Sequence, residues 1–269
     1  MDDDTANPRI PGFLRAVTWV ECAVVGGAAG LLLTFPGWGG QDVWAWQTPP
    51  FNARYVGSIY LGALVPLLVL AITARWSPGR IVLWMIFVFT TAIGVVMLAY
   101  ADRFEWARFA TWVFWALYVF LPVNSAVFLW RLRGLPAADA SERSPAARAG
   151  LIALALALGG YGVALLVAPV DATGFWPWPV DEFHGRIYAA AYLTPAAGAL
   201  VVSRAGSRDE YRTLGITLVV GGLAPALAVL ATGPAEDAAV FYALNAVPAL
   251  IGAAILIGAP ARAPAASPA

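Results

Sequence analysis

The sequence contains no lysine, and its 269 residues include a single histidine and a single cysteine. Without lysine, no side chain is present to form a Schiff base with retinal or a carbonyl substrate. One His and one Cys also fall short of the four N or S ligands of a closed metal site and of the two imidazoles of bis-histidine haem. The lone cysteine, Cys22, excludes an internal disulfide and leaves the redox compartment open. We therefore expect no cofactor.

Charged residues are also scarce, at 12% of the chain against 61% hydrophobic residues. An ordinary soluble domain has about 25% charged and about 45–50% apolar residues, so this composition excludes a soluble globular protein. Windowed hydropathy finds eight apolar spans close to the ~20 residues that cross a hydrocarbon core. Two of them begin beside an arginine and are expected to extend outward by a turn. The eight spans lie at about 13–35, 55–73, 81–100, 109–130, 150–169, 187–203, 213–232 and 239–258.

The arginines are divided unequally between the two sides of the predicted membrane. Twelve of the sixteen lie on the side of the two chain ends, and only Arg54, Arg103, Arg108 and Arg186 lie on the other. Because cytoplasmic loops are enriched in arginine, the sequence predicts that both ends are cytoplasmic. The abundance of Ala, Gly, Pro and Arg suggests a GC-rich genome. The expected location is a bacterial cytoplasmic membrane. This orientation also explains the basic runs, so no nucleic-acid partner is expected.

The sequence matches itself when it is shifted by 132 residues. The motif W-x-W-x4-F-x2-R-x5-Y-L occurs twice without a gap, beginning at Trp44 and at Trp176, and Asn52 then takes the place of His184. VVMLAY at the end of the third span likewise meets LAVLAT at the end of the seventh. After a five-residue adjustment, VFWALY at 113–118 matches VFYALN at 240–245. The pattern predicts an all-α protein made of two tandem four-helix units, related by an axis along the membrane normal.

The expected organisation follows from these two observations. It comprises a cytoplasmic N-terminal tail at 1–12, a first four-helix unit at 13–130, a cytoplasmic linker at 131–149, a second unit at 150–258 and a disordered Ala/Pro-rich tail at 259–269.

The outer loop of the second unit, WPWPVDEFHGR, joins a Trp-Pro-Trp sequence to an arginine at the start of a helix. This pattern resembles uncharacterised multi-pass membrane proteins of actinobacteria and related bacteria, in which the loop reads WPWxLTPLTAR. The resemblance is confined to the loop region of each half. It implies a multi-pass membrane fold and carries no activity with it.

Glu21 is the one acidic residue inside a predicted span. An ionised carboxylate near the bilayer centre costs roughly 2.5–3.5 kcal/mol on insertion scales, so Glu21 is expected to be protonated, paired or facing water. One interpretation is a proton or cation site. The other is a neutral carboxyl that is hydrogen-bonded to Asn124, Ser125 or a threonine. Glu21, Asn124, Ser125 and Asn245 form the candidate intramembrane polar site. Prolines that interrupt the fourth and eighth spans are expected to open a cavity around it. The alternative is that these prolines only kink their helices.

The two long outer loops carry Trp44, Trp46, Trp176 and Trp178, followed by Arg54 and Arg186. One interpretation is that the rings anchor the loops among lipid headgroups, with the arginines paired to nearby acids. The alternative is a pair of clefts that hold a lipid, a quinone or another hydrophobic ligand. His184 lies beside two acids, which suggests acid/base chemistry. However, a single loop histidine is more often solvated or hydrogen-bonded, and no catalytic fingerprint accompanies it.

The leading hypothesis for function is transport of a small or amphipathic molecule through the interface between the repeats, with Glu21 coupling it to protons. One alternative is a non-catalytic membrane subunit or scaffold that binds lipid, pigment or a partner through its aromatic loops. Another is an intramembrane lipid-modifying enzyme, which the sequence favours less. The expected partners are membrane lipid, a small hydrophobic ligand and other membrane subunits.

Overall fold

The structure, a computed structural model, describes residues 7–135, 137–138, 144–233 and 238–258. It is all-α, 82% helical, and the described residues form no strand. Short helical turns occur at Pro36–Trp38, Gly39–Val43, Ala101–Arg103 and Pro169–Ala172. The long helices are α1 (Gly12–Thr34), α2 (Pro50–Thr73), α3 (Trp76–Ala99), α4 (Phe109–Arg131), α5 (Pro145–Val167), α6 (Glu182–Arg204), α7 (Arg208–Leu230) and α8 (Ala239–Gly258).

Local sequence explains where several helices begin and end. The Ser144 side chain accepts a backbone N–H of α5, and Pro145 fills the first helical position, where a missing N–H leaves no bond unmade. Ser207 and Glu210 form a reciprocal capping box at the start of α7. Ala74 adopts a left-handed conformation with φ of 50° and ends α2.

The helices pack in the same order in the two groups α1–α4 and α5–α8. In the first group α1 packs on α2 and α3 on α4, and in the second α5 packs on α6 and α7 on α8. The groups are joined because α2 packs on α7 and α6 packs on α3. Helices α2, α3, α6 and α7 therefore occupy the centre of the bundle, and each has more than half of its residues buried.

Seven of these helices are long and apolar enough to cross a membrane, and α6 is the long helix outside that set. The outward faces carry large apolar side chains: Phe13, Leu98, Phe109 and Ile257 are all at least 61% exposed. A soluble protein does not expose so much apolar surface, whereas hydrocarbon accepts it. The chain is therefore a multi-pass integral membrane protein.

All eight apolar segments identified in the sequence are helical in the structure. The expected outward extension of two helices is confirmed and exceeds one turn, because α2 begins at Pro50 and α6 at Glu182. Hydropathy misses these first turns because they carry polar or charged residues. Of the predicted tails and linker, residues 1–6, 136, 139–143 and 259–269 lie outside the described part of the chain.

A buried ion pair joins the two groups at the end of the bundle opposite the tryptophan loops. The carboxylate of Glu210 in α7 is fully buried and accepts two hydrogen bonds from Arg80 of α3, from Nε at 2.7 Å and from Nη2 at 2.9 Å. The Arg80 guanidinium also donates to the carbonyl of Ala205 between α6 and α7. The same carboxylate accepts the backbone N–H of Ser207 at 2.8 Å, so its charge is satisfied from both sides.

We expect Arg80→Met to destabilise the protein, because it leaves the Glu210 carboxylate buried without a cation. Removing one partner of a buried pair typically costs about 3–5 kcal/mol. The thermal unfolding midpoint in detergent should fall well below that of the wild type. Adding Glu210→Gln should recover part of the loss, because Gln keeps the capping box but carries no charge. Arg133→Met is the control, since Arg133 is exposed and contacts only its own helix end. An unchanged midpoint for Arg80→Met would show that the pair does not hold the groups together.

Candidate functional site

The end of the bundle that carries the connections 35–49 and 168–181 is called here the tryptophan end. Trp44, Trp46, Trp176 and Trp178 are buried there, each no more than 7% exposed. The expectation that these rings lie among lipid headgroups is therefore wrong. Instead, the connections fold back over the helix ends and place the rings inside the protein. The ring N–H groups of Trp46, Trp176 and Trp178 donate to other side chains there, whereas that of Trp44 has no partner. Trp38 is the tryptophan of these connections that matches the expectation, at 59% exposed, and the Phe35 ring beside it is 57% exposed.

Two crossed hydrogen bonds join the groups at the tryptophan end. Trp46 Nε1 donates to His184 Nε2 of α6 at 3.2 Å, and Trp178 Nε1 donates to Asn52 Oδ1 of α2 at 2.6 Å. The adjacent phenylalanines repeat the exchange. Phe183 of α6 packs on Trp46 with ring centroids 5.2 Å apart, and Phe51 of α2 packs on Trp178 at 5.6 Å. Each group thus contacts one tryptophan of the other group through a hydrogen bond and a ring contact.

His184 has both ring nitrogens engaged within the fold. Because Trp46 donates to Nε2, the ring proton is assigned to Nδ1, which lies 2.8 Å from Asp181 Oδ1. A polar pocket of about 680 Å³ opens beside this pair and includes Asp102 and Arg103. With Nε2 occupied, His184 has no free lone pair for a substrate, which weighs against an acid/base role. In the described part of the chain, no three His, Cys, Asp or Glu residues are grouped to hold a metal ion.

The two arginines of the repeated motif also contact the opposite group. Arg54 Nη1 in α2 donates to Thr232 Oγ1 beyond the end of α7 at 3.0 Å, and Arg186 of α6 donates to the Tyr100 hydroxyl at the end of α3. The expectation of acidic partners is met for Arg186, which pairs with Glu182 at 2.7 Å. It is wrong for Arg54, whose bonds go to the hydroxyl and to a helix-end carbonyl. Helix-end carbonyls attract cations, which explains this choice.

Asp181 caps α6 and stays ionised well into the acid range. Its partial burial acts to raise the pKa, but the hydrogen bonds from the His184 ring and backbone N–H outweigh burial and lower the pKa to about 2. Arg103 acts in the same direction. The Asp181 carboxylate therefore caps α6 and also orients His184, which accepts the hydrogen bond from Trp46.

An apolar cavity of about 440 Å³ lies within the first group, between α1 and α4. These two helices make almost no backbone contact with each other, and α2 and α3 form the back of the cavity. Trp44 of the connection and Thr194 of α6 also contribute to the wall. On α1 the lining runs from Glu21 to Leu31, ten residues or about 15 Å at 1.5 Å per residue.

Five aromatic rings form a continuous wall on one side of this cavity. Trp44 lies 5.5 Å from Tyr60, Tyr60 lies 6.3 Å from Phe89, and Phe114 lies 4.3 Å from Tyr118, measured between ring centroids. The hydroxyls of Tyr60 and Tyr118 bond each other at 2.9 Å, so neither is left unpaired. Sequence reasoning named Trp44 as a candidate ligand contact but missed the other four rings. Their signal was available on α4, where 114, 117, 118 and 121 share one helix face.

Glu21 lies at the opposite end of the cavity from Trp44, near the middle of α1. Its side chain is 3% exposed, as expected for a residue turned toward protein, and Oε2 has no hydrogen-bond partner. The expected pairing with Asn124 or Ser125 is absent, because neither residue lines this cavity and Ser125 Oγ is itself unpartnered. Helix α4 instead presents Leu121 there.

Asn245 is separated from Glu21 by the back of the cavity. It is buried in α8, where its Nδ2 donates to the Phe241 carbonyl of the same helix at 2.8 Å. It lines a second cavity of about 70 Å³ between the groups, together with Pro248. Thr194 belongs to the walls of both cavities. The structure therefore does not bring Glu21, Asn124, Ser125 and Asn245 into one polar site.

Comparison of this chain with protein-family models, with curated proteins and with solved structures finds no match. The function therefore has to be argued from the cavity, its one acidic residue and the contacts at the tryptophan end.

We expect Asp181→Asn to lower stability at neutral pH and to have no effect in strong acid. The folded-state pKa, about 2, lies below the ordinary 3.8, so the ionised carboxylate stabilises the fold above pH 3.8. That contribution disappears as the pH falls from about 4 toward about 2. Asn still caps the helix, so the comparison isolates the charge. Thermal midpoints of both proteins should converge over this range. The exposed Asp171→Asn is the control for removal of one carboxylate from the same connection. Parallel curves for Asp181→Asn and wild type would contradict the assignment.

Proposed function

We propose that this chain spans a bacterial cytoplasmic membrane eight times, as two tandem four-helix units, α1–α4 and α5–α8, with both ends cytoplasmic. Helix α6 supports the count, because its 23 residues match the length of its neighbours and it runs between α5 and α7. Its low mean hydropathy fits a helix that is buried among protein rather than lipid. The unequal distribution of arginine supports the orientation.

Contacts at the tryptophan end support the duplication. Trp46 and Trp178, Asn52 and His184, and Arg54 and Arg186 are each 132 residues apart, as are Tyr100 and Thr232. Trp46 bonds His184 while Trp178 bonds Asn52, and Arg54 bonds Thr232 while Arg186 bonds Tyr100. A two-fold axis between the units would generate exactly such crossed pairs from a single repeated sequence.

For function, the proposal is that the 440 Å³ cavity binds a small amphipathic molecule as one step of its transport. The observation that carries the proposal is a buried carboxyl with an unpartnered oxygen on the wall of a large apolar cavity. Such an acid is costly in hydrocarbon and marks a functional site by default. Proton uptake and release at Glu21 would couple the movement of the ligand to the proton gradient.

The proposed binding cavity lies within the first group, whereas the sequence analysis expected the transport route at the interface between the repeats. Among the long helices, the cavity between the groups measures only about 70 Å³, against about 440 Å³ within the first group. The polar pocket of about 680 Å³ also lies between the groups, but only at the tryptophan end. The space within α1–α4 fits the usual range of about 300–1,000 Å³ for small-molecule pockets. The open cavity weighs against a sealed scaffold subunit, and the engaged nitrogens of His184 weigh against a lipid-modifying enzyme.

A cavity-filling substitution tests the binding site. We expect Ala28→Phe, which adds a ring to the α1 wall of the cavity, to exclude the ligand. Hydrophobic molecules that co-purify with the protein are extracted and compared by mass spectrometry. A ligand of this cavity should be enriched with the wild type and at least tenfold depleted with Ala28→Phe. When the proteins are reconstituted into vesicles, the wild type should move the same molecule across the membrane and Ala28→Phe should not.

The matched control is Ala23→Phe, which adds the same ring to an exposed position of the same helix. It should retain the ligand. Identical extracts from wild type and Ala28→Phe would remove the cavity as a binding site. A ligand that binds but is never moved across the membrane would favour the scaffold function over transport.

Cysteine labelling tests the orientation. In a Cys22→Ser background, Gln47→Cys at the tryptophan end should react with an impermeant maleimide in intact cells. Gly134→Cys, beyond the end of α4, should react only after permeabilisation. Both positions are exposed, so a lack of reaction reports the membrane rather than burial within the protein. Labelling of Gly134→Cys in intact cells would reverse the proposed orientation.

A further inference from the structure

We infer that the ligand of the α1–α4 cavity is a hydrophobic monovalent cation, an organic amine or onium ion whose positive charge pairs with Glu21. This inference deepens the proposed function and rests on it, because it names the chemical class that the same cavity would take.

The charge of the cavity wall favours a cationic ligand. Glu21 is the one charged residue in its wall, and no Arg, His or Asp lines it. The titratable groups that face the cavity from other helices are Tyr60 of α2 and Tyr118 of α4, and their hydroxyls bond each other. Cys22 is the buried neighbour of Glu21 on α1. Within the described part of the chain, no residue is therefore placed to neutralise the Glu21 carboxylate, and a cationic ligand supplies that charge.

The aromatic wall of the cavity also favours a cation. Ring faces are negative, so they attract cations and disfavour anions. The cavity combines five such rings with an acidic end, and its other surface is almost entirely apolar. An anion would meet the carboxylate and the ring faces together, whereas a hydrophobic cation is complementary to both. The length of the lining on α1, about 15 Å, leaves room for an apolar body that extends from Glu21 toward Trp44.

Proton exchange follows from the same arrangement. An isolated carboxylate is unfavourable in an apolar cavity, so Glu21 holds its proton while the cavity is empty. When the cation arrives, the carboxyl releases that proton to water and becomes the counter-ion. Cation and proton therefore compete for one site, and binding strengthens as the pH rises. Thr194 Oγ1, also unpartnered and on the same wall, is available to a polar group of the ligand.

The test uses tetraphenylphosphonium as the cation and tetraphenylborate as an anion of the same shape, with the purified full-length protein in detergent. Calorimetry in buffers of different ionisation enthalpy counts the protons. We expect tetraphenylphosphonium to bind with release of one proton and with an affinity that increases up to tenfold per pH unit. Tetraphenylborate should not bind at the same site. Glu21→Gln should weaken cation binding at least tenfold and abolish its pH dependence.

Ala28→Phe and Ala23→Phe separate this inference from the proposed function. Cation binding that is lost with Ala28→Phe and kept with Ala23→Phe places the cation in the cavity. If Ala28→Phe depletes a co-purifying molecule but tetraphenylphosphonium binds equally well to wild type and Glu21→Gln, the cation inference fails and the binding function stands. Equal binding of cation and anion also overturns it. If Glu21→Gln does not fold, pH-independent binding to the wild type is sufficient to reject the inference.

Discussion

The structure depends on one constraint, namely that polar groups withdrawn from water must find partners inside the protein. At the tryptophan end the constraint is met by crossed bonds, in which Trp46 and Trp178 each donate to a residue of the opposite group. At the other end it is met by the buried pair of Arg80 and Glu210. These contacts join the two groups of helices at both ends of the bundle. A few buried side-chain atoms of the described residues depart from this rule, and among them Glu21 Oε2 is the carboxyl oxygen.

A difference in helix packing between the two groups accompanies the large cavity of the first group. In the second group, a Cβ on Gly222 would lie 2.3 Å from the Asn245 carbonyl oxygen, so α7 and α8 approach closely only because that residue is glycine. In the alignment of the two groups, Gly222 corresponds to Thr90 at the offset of 132 residues. Asn245 corresponds to Tyr118 after the five-residue adjustment. Thr90 and Tyr118 both line the cavity of the first group, where they are too large for the same close approach.

The same pattern recurs about two turns further toward the start of α7. A Cβ on Gly252 would lie 2.6 Å from the Gly215 carbonyl oxygen, so this helix crossing also requires glycine. Leu83 and Ser125 occupy the corresponding positions in the first group. Small residues bring membrane helices together through backbone contact, and their replacement by larger ones opens space between them. The second group is thus suited to holding the bundle, and the first to holding a ligand.

The sequence by itself determined the helices, because an apolar run long enough to cross hydrocarbon has few alternatives to the helical state. It also singled out Glu21, since a charge in such a run needs no structure to be noticed. It misjudged the tryptophans, because composition places aromatic rings at an interface but cannot tell an outward ring from one folded over the helix ends. The separation of Glu21 from Asn124 and Asn245, and the aromatic cavity itself, depended on which helices pack together. That choice is made by contacts between residues far apart in the chain, such as Trp46 with His184 and α2 with α7, and local hydropathy does not encode it.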